Sequence, residues 1–212
     1  MTTVAVIDFE TTGLSPGMGD RATEIAVVLV EGDRVVDRFQ SLMNAGVRIS
    51  AFIEAYTGIS NAMIATAPPA DTVMADAARF VGNVPMVAHN ASFDQRFWCA
   101  ELARAGVAAA AAAQPFACTM LLSRRLYPQA RSFKLGSLAA FHALPPSGRA
   151  HRALADAEMA AALLERICRD LKSRYGLAAL QHQWLVDLQK SPKHKLDAVA
   201  ARFCGRVLEA QN

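Results

Sequence analysis

In its 212 residues the sequence has no apolar run near the ~20 residues that a membrane-spanning helix needs. It begins without a basic segment followed by an apolar core, so we expect no secretory signal. The four cysteines, Cys99, Cys118, Cys168 and Cys204, are far apart and include no Cys-x-x-Cys pair. This spacing argues against a disulfide framework and against a zinc site, and it predicts reduced thiols in a cytoplasmic protein.

The sequence also has little net charge, +3 at pH 7, but the charge is unevenly distributed. Residues 1–168 contain 14 Lys/Arg and 15 Asp/Glu, whereas residues 169–212 contain 8 and 4. With 53% hydrophobic residues the chain is not a disordered one, and its length suits one α/β domain with a modest extension. The basic tail fits either a polyanion partner or a solvated basic helix, so charge alone leaves nucleic acid open.

Apolar periodicity predicts an α/β fold around a mixed sheet. The β-branched run at residues 4–7 predicts a buried strand, and two further strands at 24–30 and 34–42 would continue it as an antiparallel meander. Short strands are expected at 86–88 and near 116–119. Helices are predicted at 50–56, 61–64, 70–81 and 135–141, and another follows the 116–119 stretch and ends at Leu126. A further helix is predicted from Ser92, which forms a capping box with Gln95, to about residue 105. The longest is predicted from Arg152 to Gly176. The alanine run at 108–113 is interpreted as a linker or frayed helix.

Two carboxylates follow the first apolar run at a spacing of two residues. Side chains alternate between the faces of a strand, so Asp8 and Glu10 point to the same side. Adjacent like charges disfavour each other's ionised form unless a cation lies between them. Hard divalent ions such as Mg²⁺ or Mn²⁺ prefer oxygen ligands of this kind. The pair therefore indicates either a metal site or an exposed strand end with two solvated acids, and further ligands downstream must decide.

Three downstream residues extend the acidic pair. Asp94 falls in the first turn of a predicted helix, where the helix dipole favours an ionised carboxylate. Asp156 lies three residues before Met159 and so shares the apolar face of the longest predicted helix, where an acid is rarely left without a partner. His151 lies in or beside a Gly-containing loop, from which it can swing toward Asp156. Each of these residues alone has an ordinary structural explanation, and it is their joint order that indicates a site.

Taken together, three segments carry a family resemblance: Asp8-Phe9-Glu10-Thr11-Thr12-Gly13, His89-Asn90-Ala91-Ser92-Phe93-Asp94 and His151-x4-Asp156. They resemble the three exonuclease motifs of the DEDDh 3′→5′ exonucleases, the family that includes the epsilon proofreading subunit of bacterial DNA polymerase III. The resemblance runs from about residue 3 to about residue 170 and includes the Lys134-Leu135-x2-Leu138 stretch. It implies an α/β fold in which an RNase H-like mixed β-sheet is flanked by helices.

The resemblance also implies a ligand set and a general base. Asp8, Glu10, Asp94 and Asp156 would hold two divalent metal ions, Mg²⁺ or Mn²⁺, and His151 would be the general base. The chemistry agrees, since two ions ~3.5–4 Å apart can activate water and stabilise a leaving oxygen. A neutral histidine can accept a proton near neutral pH. The expected reaction is metal-dependent hydrolysis that releases nucleoside 5′-monophosphates from single-stranded or frayed DNA 3′ ends.

Substrate contacts follow from the same resemblance. Thr11, Thr12 and Gly13 would cradle the terminal nucleotide, and Asn90 and Phe93 would contact the scissile end. A 3′ exoribonuclease stays an alternative, because the choice between DNA and RNA depends on contacts to the 2′-OH that the sequence does not show.

The organisation expected is an exonuclease domain at residues 1–172 and a short basic helical C-terminal extension at residues 173–212. This extension is shorter than the polymerase-binding tail of the epsilon subunit. Residues 183–188 resemble a clamp-binding peptide, but their apolar spacing is more typical of a docking helix. A DNA polymerase or a sliding clamp is therefore an alternative partner beside nucleic acid, as is an assembly in which the chain acts mainly as a subunit. No membrane partner is expected.

Overall fold

A five-stranded sheet with the order β3-β2-β1-β4-β5 forms the centre of the protein. The computed structural model describes residues 3–108, 114–146, 148 and 151–209, with side chains up to residue 203. β1 pairs with β2, and β2 with β3, in antiparallel fashion, whereas β4 joins β1 and β5 joins β4 in parallel. This arrangement confirms the predicted mixed sheet and its antiparallel meander. The strands are β1 (Val4–Thr11), β2 (Ala22–Glu31), β3 (Arg34–Leu42), β4 (Met86–Ala88) and β5 (Phe116–Cys118).

Helices cover both faces of the sheet, and most begin and end within two residues of the predicted positions. The alanine run overlaps residues 109–113 and lies outside the described residues, so its prediction stays a prediction. None of the described helices combines the length and apolarity needed to cross a bilayer. The helices are α1 (Ala51–Thr57), α2 (Asn61–Ala65), α3 (Ala70–Val81), α4 (Ala91–Arg104), α5 (Thr119–Leu126), α6 (Leu135–Phe141), α7 (Ala153–Tyr175), α8 (His182–Lys190) and α9 (Leu196–Glu209).

Alternate residues of β1 contribute to two different hydrophobic cores. Val4 and Val6 pack with α5, α7, α8 and α9, whereas Ala5, Ile7 and Phe9 pack with α3 and α4. The same period of two places the side chains of positions 8 and 10 on the α7 side of the sheet. The strand therefore delivers its two carboxylates toward the helix that carries Asp156.

Two predicted boundaries are wrong for identifiable reasons. Pairing of β1 with β2 continues to Thr11, which lies opposite Ala22, so the two acids lie inside the strand and not at its end. The helix predicted to begin at Ser92 begins at Ala91, and its N-cap is Asn90 in the left-handed conformation with φ 65°. The capping box at Ser92 is therefore absent, because the sharp turn at Asn90 brings the chain directly from β4 into α4.

The segment after α7 packs onto the outer strand of the sheet. Trp184, Leu185, Val186 and Leu188 of α8 are all buried, as the docking-helix interpretation expects. The side-chain amide of Gln189 accepts a hydrogen bond from the Cys118 N–H at 2.5 Å and donates one to the Phe116 carbonyl at 2.9 Å. α8 thereby satisfies backbone groups at the β5 edge that would otherwise be unpaired. The domain boundary at residue 172 stays a prediction.

Candidate active site

Three acidic side chains from β1 and α7 converge at one point of the sheet. Asp8, Glu10 and Asp156 each offer a carboxylate oxygen, and these oxygens lie within 4.8 Å of one another. The cluster lies toward the carboxyl end of β1, the central strand of the sheet. The chain continues from β1 to β2 on one side, and β4 pairs with β1 on the other side. Such switch points are where open α/β sheets bind ligands.

Asp94 lies next to this cluster and is buried. The Phe9 N–H donates a hydrogen bond to Asp94 Oδ1 at 3.2 Å, which ties the first turn of α4 to the β1 strand between the two acids. Its second oxygen, Oδ2, is buried and has no hydrogen-bond partner among the described residues. An orphaned carboxylate oxygen is unfavourable in a protein interior, and a bound cation would satisfy it.

The electrostatics of the four carboxyls reflect their burial and their proximity. Burial is the largest cause that raises the pKa of Asp8 well above its ordinary value, and the charges of Asp94 and Asp156 are the next largest. Burial, followed by Asp156 and Glu24, raises the pKa of Glu10 to about 8. Burial also raises the pKa values of Asp94 and Asp156. Four carboxyls that resist ionisation in the same place form a site that bound cations would stabilise.

His151 lies at the edge of the cluster in a defined but unusual conformation. Its φ is 61°, its backbone N–H donates to Asp156 Oδ2 at 3.2 Å, and its ring stacks on Tyr56 with centroids 3.9 Å apart. The imidazole meets α1 through Tyr56, and it lines the same cavity as Asp156. The structure thus brings His151 together with Asp156, with Tyr56 supporting the ring.

A fifth carboxylate, Glu24, lies across the strand pair from Glu10 and is fully buried. Arg152 donates from Nε at 3.0 Å and from Nη2 at 2.8 Å, and the Ala153 N–H at the start of α7 donates at 3.0 Å. Gln40 donates to the same carboxylate at 2.8 Å. Although burial raises the pKa of Glu24, these hydrogen bonds outweigh burial and lower it. Glu24 therefore fixes the chain between the His151 and Asp156 positions.

The segment Thr11-Thr12-Gly13 forms a tight loop edge beside the cluster. Thr11 Oγ1 donates to the Gly13 carbonyl at 2.6 Å, and Thr12 Oγ1 accepts from the Arg21 N–H at 3.0 Å. A Cβ at Gly13 would meet the Asp20 carboxylate at 2.4 Å, so a larger residue there would displace that side chain, which accepts a hydrogen bond from the Ser15 N–H at 2.9 Å. The Thr11 hydroxyl thus donates within the loop, whereas the Thr12 hydroxyl only accepts and keeps its own O–H as a donor.

A cavity of about 890 Å³ opens beside the cluster. Asn90, His151 and Asp156 line it, together with Tyr56. Phe93 is not among its lining residues, and its ring packs against Phe97 with centroids 4.9 Å apart. Asn90 is therefore placed at the candidate site, whereas the ring of Phe93 contributes to the core beneath it.

Sequence reasoning missed Glu24, Tyr56 and Arg152 as parts of this region, and it gave His89 no role beyond its place in the second motif. Glu24 carried a usable signal, since an acid at the start of a strongly apolar strand needs a partner. His89 is bonded through Nδ1 to Thr119 Oγ1 at 2.9 Å and through Nε2 to the Phe133 carbonyl at 3.0 Å. Burial lowers its pKa to about 4, so His89 is a neutral structural link at neutral pH.

Comparison with known proteins places this geometry in context. The chain matches the family model described as "RNase_T: Exonuclease" over residues 5–164. The 3′-5′ exonuclease DinG of Bacillus subtilis is 36% identical over 171 residues, which are 79% of this chain and 18% of DinG. The PolC-type DNA polymerase III of Bacillus cereus is 34% identical over 169 residues, which are 80% of this chain and 12% of the polymerase. The chain thus spans less than a fifth of the length of these relatives.

Solved structures show the same architecture. Exonuclease X in complex with 5′ overhanging duplex DNA is 31% identical, with a TM-score of 0.64, and the match covers 83% of this chain and 95% of that one. The nuclease domain of 3′hExo, a DEDDh family member bound to rAMP, is 19% identical with a TM-score of 0.68, over 79% of this chain and 92% of that one. The second similarity shows the fold, and it confirms the expected RNase H-like sheet flanked by helices.

Proposed function

This chain belongs to the exonuclease family, and from that premise we propose that it is a metal-dependent 3′→5′ exonuclease that releases nucleoside 5′-monophosphates from single-stranded or frayed DNA ends. The observation that carries the proposal is the convergence of Asp8, Glu10 and Asp156 beside the buried, half-partnered Asp94. Exonuclease X, at 31% identity, was solved with duplex DNA, which supports DNA as the substrate.

The donor set fits two divalent cations. Carboxylate oxygens are the ligands that Mg²⁺ and Mn²⁺ prefer, and the unpartnered Asp94 Oδ2 supplies a free acceptor. Asp8, Glu10, Asp94 and Asp156 would hold the ions, whose charge would offset the four carboxylates. When bound, such ions activate water for attack on the phosphodiester and stabilise the leaving 3′ oxygen.

The protein's own residues would supply proton transfer and orientation. The His151 imidazole would accept the proton of the attacking water at a ring nitrogen. The Tyr56 ring and the hydrogen bond from the His151 N–H to Asp156 hold that imidazole beside the cluster. The Thr11-Thr12-Gly13 backbone and Asn90 would orient the terminal nucleotide, and Phe93 would support this contact from the core.

The similarity to PolC-type polymerases raises the question of a polymerase partner. The apolar residues of the 183–188 segment that resemble a clamp-binding peptide are packed against β5 and α9, so they are not presented to a clamp. This packing favours activity without a clamp, and association with a polymerase would use another surface.

The direct test uses end-labelled single-stranded DNA and RNA of one sequence, with Mg²⁺, with Mn²⁺ and with chelator. We expect a ladder that shortens from the 3′ end, that disappears with chelator and that is lost in Asp8→Asn. The matched control is Asp33→Asn, an exposed acid in the turn between β2 and β3. A folded wild-type protein that yields no ladder with any metal on either substrate would contradict the proposal, and faster trimming of RNA would reassign the substrate.

A further inference from the structure

A long segment between two site-bearing helices contains no acidic residue. Residues 102–155 include seven Lys/Arg and no Asp or Glu. This segment covers the end of α4, β5, α5 and α6, and it leads to His151. The segment itself therefore supplies no carboxylate to offset its positive charge, and two of its cations are paired with acids outside it, Arg104 with Glu101 and Arg152 with Glu24. The basic residues are Arg104, Arg124, Arg125, Arg131, Lys134, Arg149 and Arg152.

Two of these cations line the cavity that opens at the candidate active site. Arg124 and Lys134 share its wall with Phe133, while His151 and Asp156 line the same cavity. Among the described residues that line it, Asp156 is the one carboxylate. The cavity thus joins the acidic cluster to the two cations Arg124 and Lys134.

The positive charges of Arg124 and Lys134 are available to a ligand. Both side chains are exposed, and neither takes part in an ion pair within the described part of the chain. The Arg124 guanidinium carbon lies 5.7 Å from the centroid of the Phe133 ring, an arrangement that orients the cation without neutralising it.

The wall is held in place by a hydrogen-bonded link to the sheet. His89, directly after β4, bonds to the Phe133 carbonyl and to Thr119 at the start of α5. Arg124 comes from α5, and Lys134 precedes α6, so one half-buried histidine positions both elements relative to the sheet. The cations therefore project from a fixed wall.

We propose that Arg124, Phe133 and Lys134 form a subsite for the phosphodiester backbone of the substrate strand, upstream of the nucleotide that is removed. The inference rests on the proposed function, because a strand whose 3′ end lies at the acidic cluster continues along an adjoining groove. Cations that neutralise backbone phosphates and an aromatic face for a base are the elements that bind single strands without sequence preference.

The test compares the double variant Arg124→Ala/Lys134→Ala with a control double variant, Arg34→Ala/Lys172→Ala. The control also removes two positive charges, but at the start of β3 and near the C-terminus of α7, away from the cavity. The substrates are a decanucleotide and a dinucleotide without a 5′ phosphate, which has the scissile phosphodiester alone. Binding of the decanucleotide is measured by fluorescence anisotropy in Ca²⁺ across a salt series, with its integrity checked afterwards.

We expect the KM for the decanucleotide to rise ~20-fold at ~0.1 M salt, with kcat and the dinucleotide kinetics unchanged, since each single-strand phosphate contact contributes a salt slope of ~0.7. The slope of the logarithm of the binding constant against the logarithm of salt concentration is negative, and its magnitude should decrease by about 1.4 in Arg124→Ala/Lys134→Ala. Equal behaviour of the two double variants, or an equal effect on the dinucleotide, would overturn the subsite. An inactive wild type would contradict the proposed function instead, and the anisotropy titration would still decide the subsite.

Discussion

Glu24 and Arg152 lie 128 positions apart in the sequence and form a two-pronged ion pair, with Arg152 Nη2 2.8 Å and Nε 3.0 Å from the carboxylate. The same carboxylate accepts the Ala153 N–H and so caps the start of α7 from outside the helix. One acid of β2 thereby holds both the residue after His151 and the helix turn that carries Asp156. The candidate site depends on a carboxylate that does not belong to the metal-binding cluster.

Glu24→Gln should therefore weaken both the fold and the reaction. The substitution leaves a partly buried guanidinium without its counter-charge, which we expect to lower the free energy of unfolding by ~2–4 kcal/mol, measured by urea denaturation. We also expect kcat to fall with a smaller change in KM, because a displaced α7 terminus moves Asp156 and His151 together.

The control for Glu24→Gln is Glu158→Gln, which breaks an exposed pair with Arg38. That pair lies on the surface and should contribute below ~1 kcal/mol. Equal loss of stability in the two variants, or an unchanged kcat in Glu24→Gln, would remove Glu24 from any positioning role.

The pKa of Glu10 predicts how stability depends on pH and metal. Burial and the charges of Asp156 and Glu24 raise it from the ordinary 4.5 to about 8. Between these values the folded chain binds a proton that the unfolded chain does not, so the stability from this group is full below about 4.5 and is lost as pH rises through about 8. With chelator present, the Tm of the wild type minus the Tm of Glu10→Gln should decrease between pH 5 and pH 8.

Metal should reverse that trend, because ions bind the deprotonated carboxylates. The rise in Tm on adding Mg²⁺ or Mn²⁺, measured by differential scanning calorimetry, should be larger at pH 8 than at pH 5, and Glu10→Gln should reduce it. A Tm difference between wild type and Glu10→Gln that does not vary with pH in chelator would contradict the assigned burial and crowding of this carboxyl.

Tyr56 should matter through the His151 ring that it supports. With centroids 3.9 Å apart, the two rings limit where the imidazole can lie. Tyr56→Ala should lower kcat ~10- to 100-fold with little change in metal binding, since small misplacement of a catalytic group has effects of this size. Tyr56→Phe keeps the stacking surface and should retain near wild-type kcat. Equal kcat values for Tyr56→Ala and wild type would show that His151 does not need this support.

The sequence was sufficient for those parts of the site that local periodicity determines. Alternation along β1 predicted that Asp8 and Glu10 share a face, and the helical period placed Asp156 on the inner side of its helix. The roles proposed for these residues stay predictions until activity is measured. Their distance from one another could not be read from local patterns, because β1 and α7 meet only through the tertiary fold.

Contacts that depend on distant packing were not predictable. Nothing near Glu24 in the sequence points to Arg152, and no local pattern requires Asn90 to adopt a left-handed conformation at an N-cap. The stacking of Tyr56 on His151 joins a helix near residue 56 to a loop almost a hundred residues later. A single sequence reports local preferences, whereas these partners are selected by the surface that the sheet and helices create together.

Gln189 provides a test of whether the segment after α7 is an integral part of this fold. Its amide bonds both the Cys118 N–H and the Phe116 carbonyl of β5, and the side chain is buried. Gln189→Leu removes both partners and should lower the free energy of unfolding by ~2–4 kcal/mol, because each buried unsatisfied group costs about 1–3 kcal/mol. Gln183→Leu on the exposed side of the same helix should change it by less than ~0.5 kcal/mol. Urea denaturation of both variants decides the point: equal small effects would mean that α8 lies against β5 without closing its edge, whereas the expected difference would show that the sheet needs this helix to be complete.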